Sequence, residues 1–276
     1  MRTRYLFLDM DNTLFSPKIN GIPASAMKAI RMAQANGHLV FVSTGRSLAE
    51  CQRYLDLGLD GYVFGAGSKV YADGHTIYDN PFLKEEVKTL ENSLDKHHIG
   101  YISEGQAGVY CNAKGYAGMM RMYSPSATSR EDNERIIREE GFYPLNMRDS
   151  HEVISKMSII TDSEQEVDTA ITLMPDTIHL IRTLHNDALK LYGGDMVHKG
   201  SSKATGIGHV LKYFHAGFRD AIGIGDSVND LDMIKACGLG IAMGNADQKT
   251  KEAADWVTSD INDNGIWNAF VKAKVL

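Results

Sequence analysis

Apolar runs alternate with helical spacings along the first part of the chain. Residues 4–8 form a mostly apolar run that favours a strand, and residues 23–36 carry apolar positions at helical spacing before Gly37. A second apolar run at 38–42 predicts a buried strand, and the segment after it predicts a helix that reaches Leu57. Because strand, helix, strand and helix follow one another, the pattern favours an α/β fold with a parallel sheet and right-handed crossovers.

The alternation of predicted strands and helices is interrupted after residue 82 and returns after Gly193 and Gly194. Ahead of the change, residues 62–79 predict a strand and a hairpin. The middle segment is a mixture of helices predicted at 83–98, 118–122, 132–140 and 164–173, and of short strands predicted near 101, 109, 153–160, 178–183 and 188–192. We therefore expect an α/β domain formed by 1–82 and 188–276, interrupted by an inserted α+β domain at 83–187.

Composition narrows the classes of function. The 276 residues carry a formal net charge of −6, which disfavours nucleic acid and anionic membranes as partners. The three cysteines are far apart in sequence, so neither a disulfide framework nor a paired-cysteine metal site is indicated. No signal peptide is visible and no apolar run reaches transmembrane length, so the expected location is cytoplasmic.

Two carboxylates, Asp9 and Asp11, follow the first apolar run with only Met10 between them. Alternate side chains of a strand share a face, so an extended conformation that continued to Asp11 would point both carboxylates into one crevice at the carboxyl edge of the sheet. Two like charges at this spacing imply a bound metal, a shared proton or both. The alternative is that an Asp at a strand end only caps the next turn or helix.

A second strand end carries small and hydroxyl residues, including Thr44 and Gly45. Hydroxyl groups and exposed amides at a helix start can hold phosphate oxygens, although a simple helix cap with a turn explains the same residues. Lys203 lies near the first turn of a later predicted helix, where its charge opposes the helix dipole. It is either a plain surface lysine or a group that reaches an anion or the strand-end carboxylates.

A third strand end, after the apolar run at 220–225, carries Asp226, Asn229 and Asp230. These three residues lie within about one helical turn, so they could converge on the same metal and on Lys203. The later stretch 260–265 matches the first half of a calcium-binding EF-hand loop, but Val271 stands where the bidentate Glu belongs. We therefore interpret 260–265 as a turn before the last helix.

Taken in order, these stretches resemble the four motifs of the haloacid dehalogenase (HAD) superfamily, and specifically its Cof-type phosphatases of subclass IIB. Asp9, Asp11 and Thr13 match the first motif, Thr44 the second, Lys203 the third, and residues 225–230 the fourth. Residues 240–246, 254–258 and 263–265 also resemble the C-terminal pattern of this subfamily. The main departure is Asn12, which stands where the subfamily usually has Gly, and Asn tolerates left-handed backbone better than most residues.

The resemblance implies a Rossmann-like core with a parallel sheet and an inserted α+β cap, in a phosphatase that uses Mg²⁺ and forms an aspartyl-phosphate. Asp9 would be the nucleophile, and Asp11 would be the general acid and base. Mg²⁺ would be held by Asp9, by the backbone carbonyl of Asp11 and by Asp226. The phosphoryl group would be bound by Met10, Thr44, Gly45, Lys203 and Asn229, with Asp230 in a supporting role.

The expected substrate is a small phosphorylated metabolite, most simply a sugar phosphate, with the cap deciding which ester is accepted. Two alternatives stay open at this point. A phosphomutase would return the phosphoryl group to a sugar instead of to water, and a phosphate-binding protein would keep the fold without turnover. We expect a monomer or a weak dimer that binds neither nucleic acid nor membrane.

Overall fold

The structure, a computed structural model, describes residues 2–123 and 129–276. The strands in these residues are β1 (Tyr5–Leu8), β2 (Leu39–Ser43), β3 (Gly61–Phe64), β4 (Lys69–Ala72), β5 (His75–Asp79), β6 (Tyr101–Glu104), β7 (Val109–Cys111), β8 (Phe142–Pro144), β9 (Lys156–Thr161), β10 (Ile178–Asn186), β11 (Leu191–His198), β12 (Ala221–Gly225), β13 (Leu239–Ala242) and β14 (Trp256–Val257).

The α-helices are α1 (Ala24–Ala35), α2 (Leu48–Cys51), α3 (Lys84–Lys96), α4 (Ala113–Tyr123), α5 (Arg130–Glu139), α6 (Glu164–Leu173), α7 (Lys203–Tyr213), α8 (Leu231–Ala236), α9 (Gln248–Ala253) and α10 (Gly265–Lys272). Nowhere in the two described ranges does a helix combine the length and the apolar character that crossing a bilayer would require.

The chain divides into two compact units. The first, called the core unit, comprises Met1–Gly45, Leu55–Asp79 and Ser201–Leu276. The second, called the inserted unit, comprises Arg46–Tyr54 and Asn80–Gly200. Each unit has its own sheet and its own apolar core.

The core unit is built on an eight-stranded sheet in the order β14-β13-β12-β1-β2-β3-β4-β5. Strand β1 pairs in parallel with β12 and with β2, so that Leu8 stands opposite both Ile224 and Val42. Strands β3 to β5 add the expected hairpin, which turns at Asp73 and Gly74. The expected α/β class with a parallel sheet is confirmed, and the carboxyl ends of β1, β2 and β12 meet at one edge.

The core unit is held together by apolar packing between this sheet and its helices. Phe7 of β1 stacks on Phe41 of β2 with ring centroids 5.1 Å apart. Helix α7 buries Ile207, Val210 and Leu211, which stand three and four residues apart on one helical face, in the same cluster. Burying an aliphatic or aromatic side chain of this size contributes about 1.5–3 kcal/mol, so α7 is firmly attached to the sheet that carries the strand-end acids.

The inserted unit is an α+β layer on a six-stranded sheet in the order β10-β11-β9-β6-β7-β8. Met157 and Ile159 of β9 pack in one cluster with residues of α3 and α6. Ile160, on the opposite face, packs in a second cluster with residues of α4 and α5. Alternation along the strand therefore provides this unit with two cores of its own.

The inserted unit extends to Gly200, past the boundary expected after residue 187. Strand β11 pairs with both β10 and β9, which ties it to this sheet. Its Gly193 and Gly194, after which we expected the alternation of strands and helices to return, lie inside the strand. A Cβ at either position would come within 2.0 Å of a carbonyl oxygen, that of Ile159 or Ile181, so only glycine fits.

The segment 46–54 also belongs to the inserted unit, although its sequence places it within the expected first part of the core. The expected helix to Leu57 is present only as the short α2, and a 3-10 helix continues it over Gln52–Leu57. Ala49 packs against the second apolar cluster of the inserted unit. The segment 46–54 therefore belongs to the inserted unit because of its packing and not because of its place in the chain.

Candidate active site

Asp9 directly follows β1 and is 5% exposed. Its backbone N–H donates to the Ile224 carbonyl at 2.9 Å, which fixes the residue against β12. The chain then turns, because the Met10 carbonyl accepts from the N–H groups of Leu14 (3.0 Å) and Phe15 (2.7 Å). The condition that the extended conformation continues to Asp11 is not met, because β1 ends at Leu8.

Asp11 lies in this turn and is half-buried. Its charge nevertheless acts on the buried carboxylates, since it is among the groups that raise the pKa of Asp9, after burial and the Asp230 carboxylate. The next residue, Asn12, has a φ of 59°, in the left-handed region. Asn12 therefore adopts a conformation that glycine takes readily and that Asn tolerates better than most residues.

Lys203 is the first residue of α7 and is 2% exposed. Its ammonium group donates to Asp9 Oδ1 and to Asp230 Oδ1, each at 2.5 Å. Burial alone would lower the pKa of Lys203, but the carboxylates of Asp230 and Asp9 outweigh it and raise that pKa. The lysine is thus a fixed positive charge between two strand ends.

Asp230 organises the loop after β12. Its Oδ2 accepts from the backbone N–H groups of Asp226 (3.0 Å) and Ser227 (3.1 Å), while its Oδ1 accepts from Lys203. The side chain is fully buried. With donors on both oxygens, Asp230 is suited to orient Lys203 rather than to bind a ligand directly.

Glycine at position 225 makes room for this arrangement. A Cβ on Gly225 would lie 2.4 Å from Asp230 Cγ and 2.5 Å from its Oδ2. We expect Gly225→Ala to displace Asp230, to lower kcat/KM by about tenfold or more and to destabilise the fold by about 1–3 kcal/mol. Hydrolysis of the phosphate esters that the HAD resemblance predicts as substrates measures the first effect, and urea unfolding measures the second. Gly217→Ala is the matched control, because no atom lies within 4 Å of a Cβ there; equal behaviour of the two variants would contradict the prediction.

The site has the charge balance and the donor atoms of a metal centre. Within the described residues, carboxylate oxygens of Asp9, Asp226 and Asp230 lie within 4.8 Å of one another, whereas Lys203 supplies one positive charge. Burial and the Asp230 carboxylate raise the pKa of Asp226 to about 7, and the same two causes raise that of Asp9 well above its usual range. A divalent cation would remove this excess of negative charge, and an all-oxygen donor set suits Mg²⁺.

Asp9 and Asp226 are the carboxylates best placed to hold such a cation, since the oxygens of Asp230 already accept hydrogen bonds. Thr13, which we did not single out as a site residue, donates from its hydroxyl to Asp226 Oδ1 at 3.1 Å. That bond counts among the influences that lower the pKa of Asp226, after the larger raising effects. The only sequence signal for this role was the place of Thr13 in the first motif.

Three expected phosphate-binding residues follow the two strands that flank β1 in the sheet, β2 and β12. Thr44 follows β2 and is buried, and its carbonyl accepts from the N–H of Ala66 at 3.0 Å. Gly45 comes next and is half-buried. Asn229 lies in the short 3-10 helix Val228–Asp230, and its Oδ1 accepts from the Ser227 hydroxyl at 2.6 Å.

A close backbone contact sets the start of α7, and we missed it in the sequence. Gly67 has a φ of +92°, and a Cβ on it would lie 2.1 Å from the carbonyl oxygen of Ser202. Ser202 caps α7 by accepting from the N–H of Thr205. The glycines between β3 and β4 were the available signal, because glycine marks places where two backbones approach closely.

The chain resembles known proteins along nearly its whole length. A sequence profile of haloacid dehalogenase-like hydrolases matches residues 6–270. Pyridoxal phosphate phosphatase YbhA of Escherichia coli (strain K12) is 25% identical over 283 residues, which cover 96% of this chain and 97% of YbhA. The phosphatase YcsE of Bacillus subtilis (strain 168), named for 5-amino-6-(5-phospho-D-ribitylamino)uracil, is 24% identical over 274 residues, with 96% and 94% covered.

Among solved structures, the HAD subclass IIB sugar phosphatase BT4131 is similar to this chain with a TM-score of 0.75 and 25% sequence identity. The similarity covers 99% of this chain and 100% of that protein. The likeness therefore includes both the core unit and the inserted unit, each with its own sheet.

Proposed function

The chain belongs to the haloacid dehalogenase-like hydrolases, and on that premise we propose that it is a Mg²⁺-dependent phosphatase of small phosphate monoesters. The observation that carries this proposal is the buried Asp9 carboxylate, which lies beside Lys203 and Asp226 at the carboxyl edge of the parallel sheet. Such edges are the ligand-binding positions of open α/β sheets.

Asp9 is the proposed nucleophile. A carboxylate oxygen of Asp9 attacks phosphorus, the bond from phosphorus to the ester oxygen breaks, and an aspartyl-phosphate forms. Asp11 gives its proton to the leaving oxygen, so the alcohol departs neutral. In the second step Asp11 takes a proton from water, the water oxygen attacks phosphorus, and inorganic phosphate leaves with Asp9 restored as a carboxylate.

The remaining residues supply charge and position. Lys203, oriented by Asp230, neutralises phosphoryl oxygens together with donors from Met10, Thr44, Gly45 and Asn229. Mg²⁺ held by Asp9, Asp226 and the Asp11 carbonyl would supply the further positive charge on which phosphoryl transfer mainly depends.

The names of the relatives support small phosphorylated metabolites as the substrate class. One relative is named for pyridoxal phosphate, one for a phosphorylated ribityl compound, and one similar structure is a sugar phosphatase. We take sugar phosphates as the first class to test, and we assign the inserted unit as the cap that selects the leaving group.

Metal removal tests the proposal directly. We expect phosphate release from a panel of sugar phosphates, 4-nitrophenyl phosphate and pyridoxal phosphate to fall to background with EDTA and to return with Mg²⁺. The reason is that the buried carboxylates carry more negative charge than Lys203 balances. Free phosphate and isomerised sugar phosphate are followed together. Full activity in EDTA would overturn the metal requirement, and isomer without phosphate would make the protein a mutase.

A further inference from the structure

The turn that carries Asp11 is attached to two C-terminal loops by one side chain. In this turn, residues 10–16, the carbonyl of Asn12 accepts from Asn245 Nδ2 at 2.8 Å. The other end of the same amide, Asn245 Oδ1, accepts from the backbone N–H of Ile261 at 2.9 Å. Asn245 therefore bridges the residue next to Asp11 to the loop that follows β14.

A second bond joins the same turn to the same loop. The Ser16 hydroxyl donates to Asn262 Oδ1 at 2.7 Å, and the Asn262 backbone N–H donates to Asp260 Oδ1 at 2.8 Å. The N–H of Gly244 donates to the Ser259 carbonyl at 3.0 Å. The polar stretch that resembles half of a calcium loop is thus a hydrogen-bonded support for the turn.

The turn also contains one residue in the left-handed region. Asn12 has a φ of 59°, which is uncommon for residues other than glycine, although Asn tolerates it better than most. Its N–H donates to the Phe15 carbonyl at 2.9 Å, and Thr13 is held by Asp226. On the other side, the carbonyl of Asn12 is directed to Asn245, which fixes the Asn12–Thr13 peptide plane, the second plane after Asp11.

We propose that Asn245 is a positioning residue that holds Asp11 in place for proton transfer to the leaving oxygen. The inference rests on the role of Asp11 proposed above. A displacement of about 1 Å in a catalytic group can reduce the rate by about 10²-fold, so one hydrogen bond to the neighbouring carbonyl is enough to matter. The chemistry of attack by Asp9 does not depend on this bond.

Two esters with different leaving groups distinguish a misplaced Asp11 from a general loss of activity. 4-Nitrophenolate leaves with little help from an acid, whereas phenolate, the conjugate base of an acid with a pKa of about 10, needs a proton. We expect Asn245→Ala to lower kcat/KM for phenyl phosphate about tenfold and kcat/KM for 4-nitrophenyl phosphate less than about twofold. The ratio kcat/KM is the measure because it reports formation of the aspartyl-phosphate and not its hydrolysis, which is common to both esters. Urea unfolding checks that the fold persists.

Two variants make the test specific. Asn268→Ala removes the hydrogen bond that the Asn268 side-chain amide donates to the Ser259 hydroxyl in the same loop, without reaching the turn, and it should match the wild type. Asn245→Asp keeps the oxygen that accepts from Ile261 and loses the donor to Asn12. It should behave as Asn245→Ala; wild-type kinetics in Asn245→Asp would overturn the inference.

Asp11→Ala distinguishes failure of this inference from failure of the mechanism. We expect Asp11→Ala to lower kcat/KM for phenyl phosphate far more than kcat/KM for 4-nitrophenyl phosphate, and Asn245→Ala to add no further loss of kcat/KM in that background. An equal loss of kcat/KM on both esters in Asp11→Ala would overturn the acid role itself. A leaving-group-dependent loss in Asp11→Ala, with an equal loss on both esters in Asn245→Ala, would overturn only the role of Asn245.

Discussion

Asp9→Asn is expected to abolish phosphatase turnover and to leave the fold intact. The amide has nearly the shape of the carboxylate but is not a nucleophile toward phosphorus, so the covalent step is lost. Deleting a covalent nucleophile commonly lowers kcat by about 10⁴-fold or more. Phosphate release in the presence of Mg²⁺ measures the effect, and wild-type, Mg²⁺-dependent activity in this variant would disprove the mechanism.

The fold should tolerate this change because it reduces an excess of buried negative charge. Burial and the Asp230 carboxylate raise the pKa of Asp9, so burying its ionised form costs free energy in the metal-free protein. Lys203 keeps its second partner, Asp230. We therefore expect metal-free Asp9→Asn to be at least as resistant to urea as the wild type. Asp73→Asn, at an exposed turn where the side chain accepts only from the Tyr213 hydroxyl among the contacts described, is the matched control for activity.

Much of the fold follows from local patterns in the sequence. The helix predicted at 164–173 is α6, and the hairpin predicted in 62–79 turns at Asp73 and Gly74. Helix α4 begins at Ala113, earlier than the predicted 118–122. Its Gly115 and Gly118 weaken the helical pattern, but a Cβ on Gly115 would lie 2.3 Å from the Tyr101 carbonyl oxygen. Tertiary packing, which a local pattern does not contain, selected glycine there.

The candidate site likewise has one part that local sequence patterns predict and another that depends on tertiary structure. Asp9, Asp226 and Lys203 are recognisable in the sequence because each stands at the end of a buried strand or the start of a helix, and parallel strands bring those ends together. The bond from Asn245 to Asn12 joins two loops far apart in the chain, so no spacing rule indicates it. The pairing of both oxygens of Asp230 likewise depends on how the loop after β12 folds back.

Lys203→Met is expected to remove activity and to destabilise the protein by about 3–5 kcal/mol, because it leaves buried carboxylates without their cation. Methionine nearly preserves the volume, so lost packing is a minor part of the effect. Lys69→Met is the matched control. Lys69 is also buried, but its partner Asp79 is 33% exposed and can be hydrated when the lysine is absent. We expect Lys69→Met to lose less stability than Lys203→Met and to retain activity.

The pH dependence of unfolding tests whether buried charge, rather than lost packing, destabilises Lys203→Met. The pKa of Asp226 is raised to about 7 from an ordinary value near 4. A raised carboxyl pKa contributes stability at acid pH that is lost as the pH rises through the folded value, so metal-free protein should weaken between about pH 4 and pH 7. Without Lys203 the folded pKa values of Asp9 and Asp226 rise further. Urea unfolding of metal-free Lys203→Met should therefore show a larger deficit at pH 8 than at pH 5.5, and equal deficits would indicate lost packing instead.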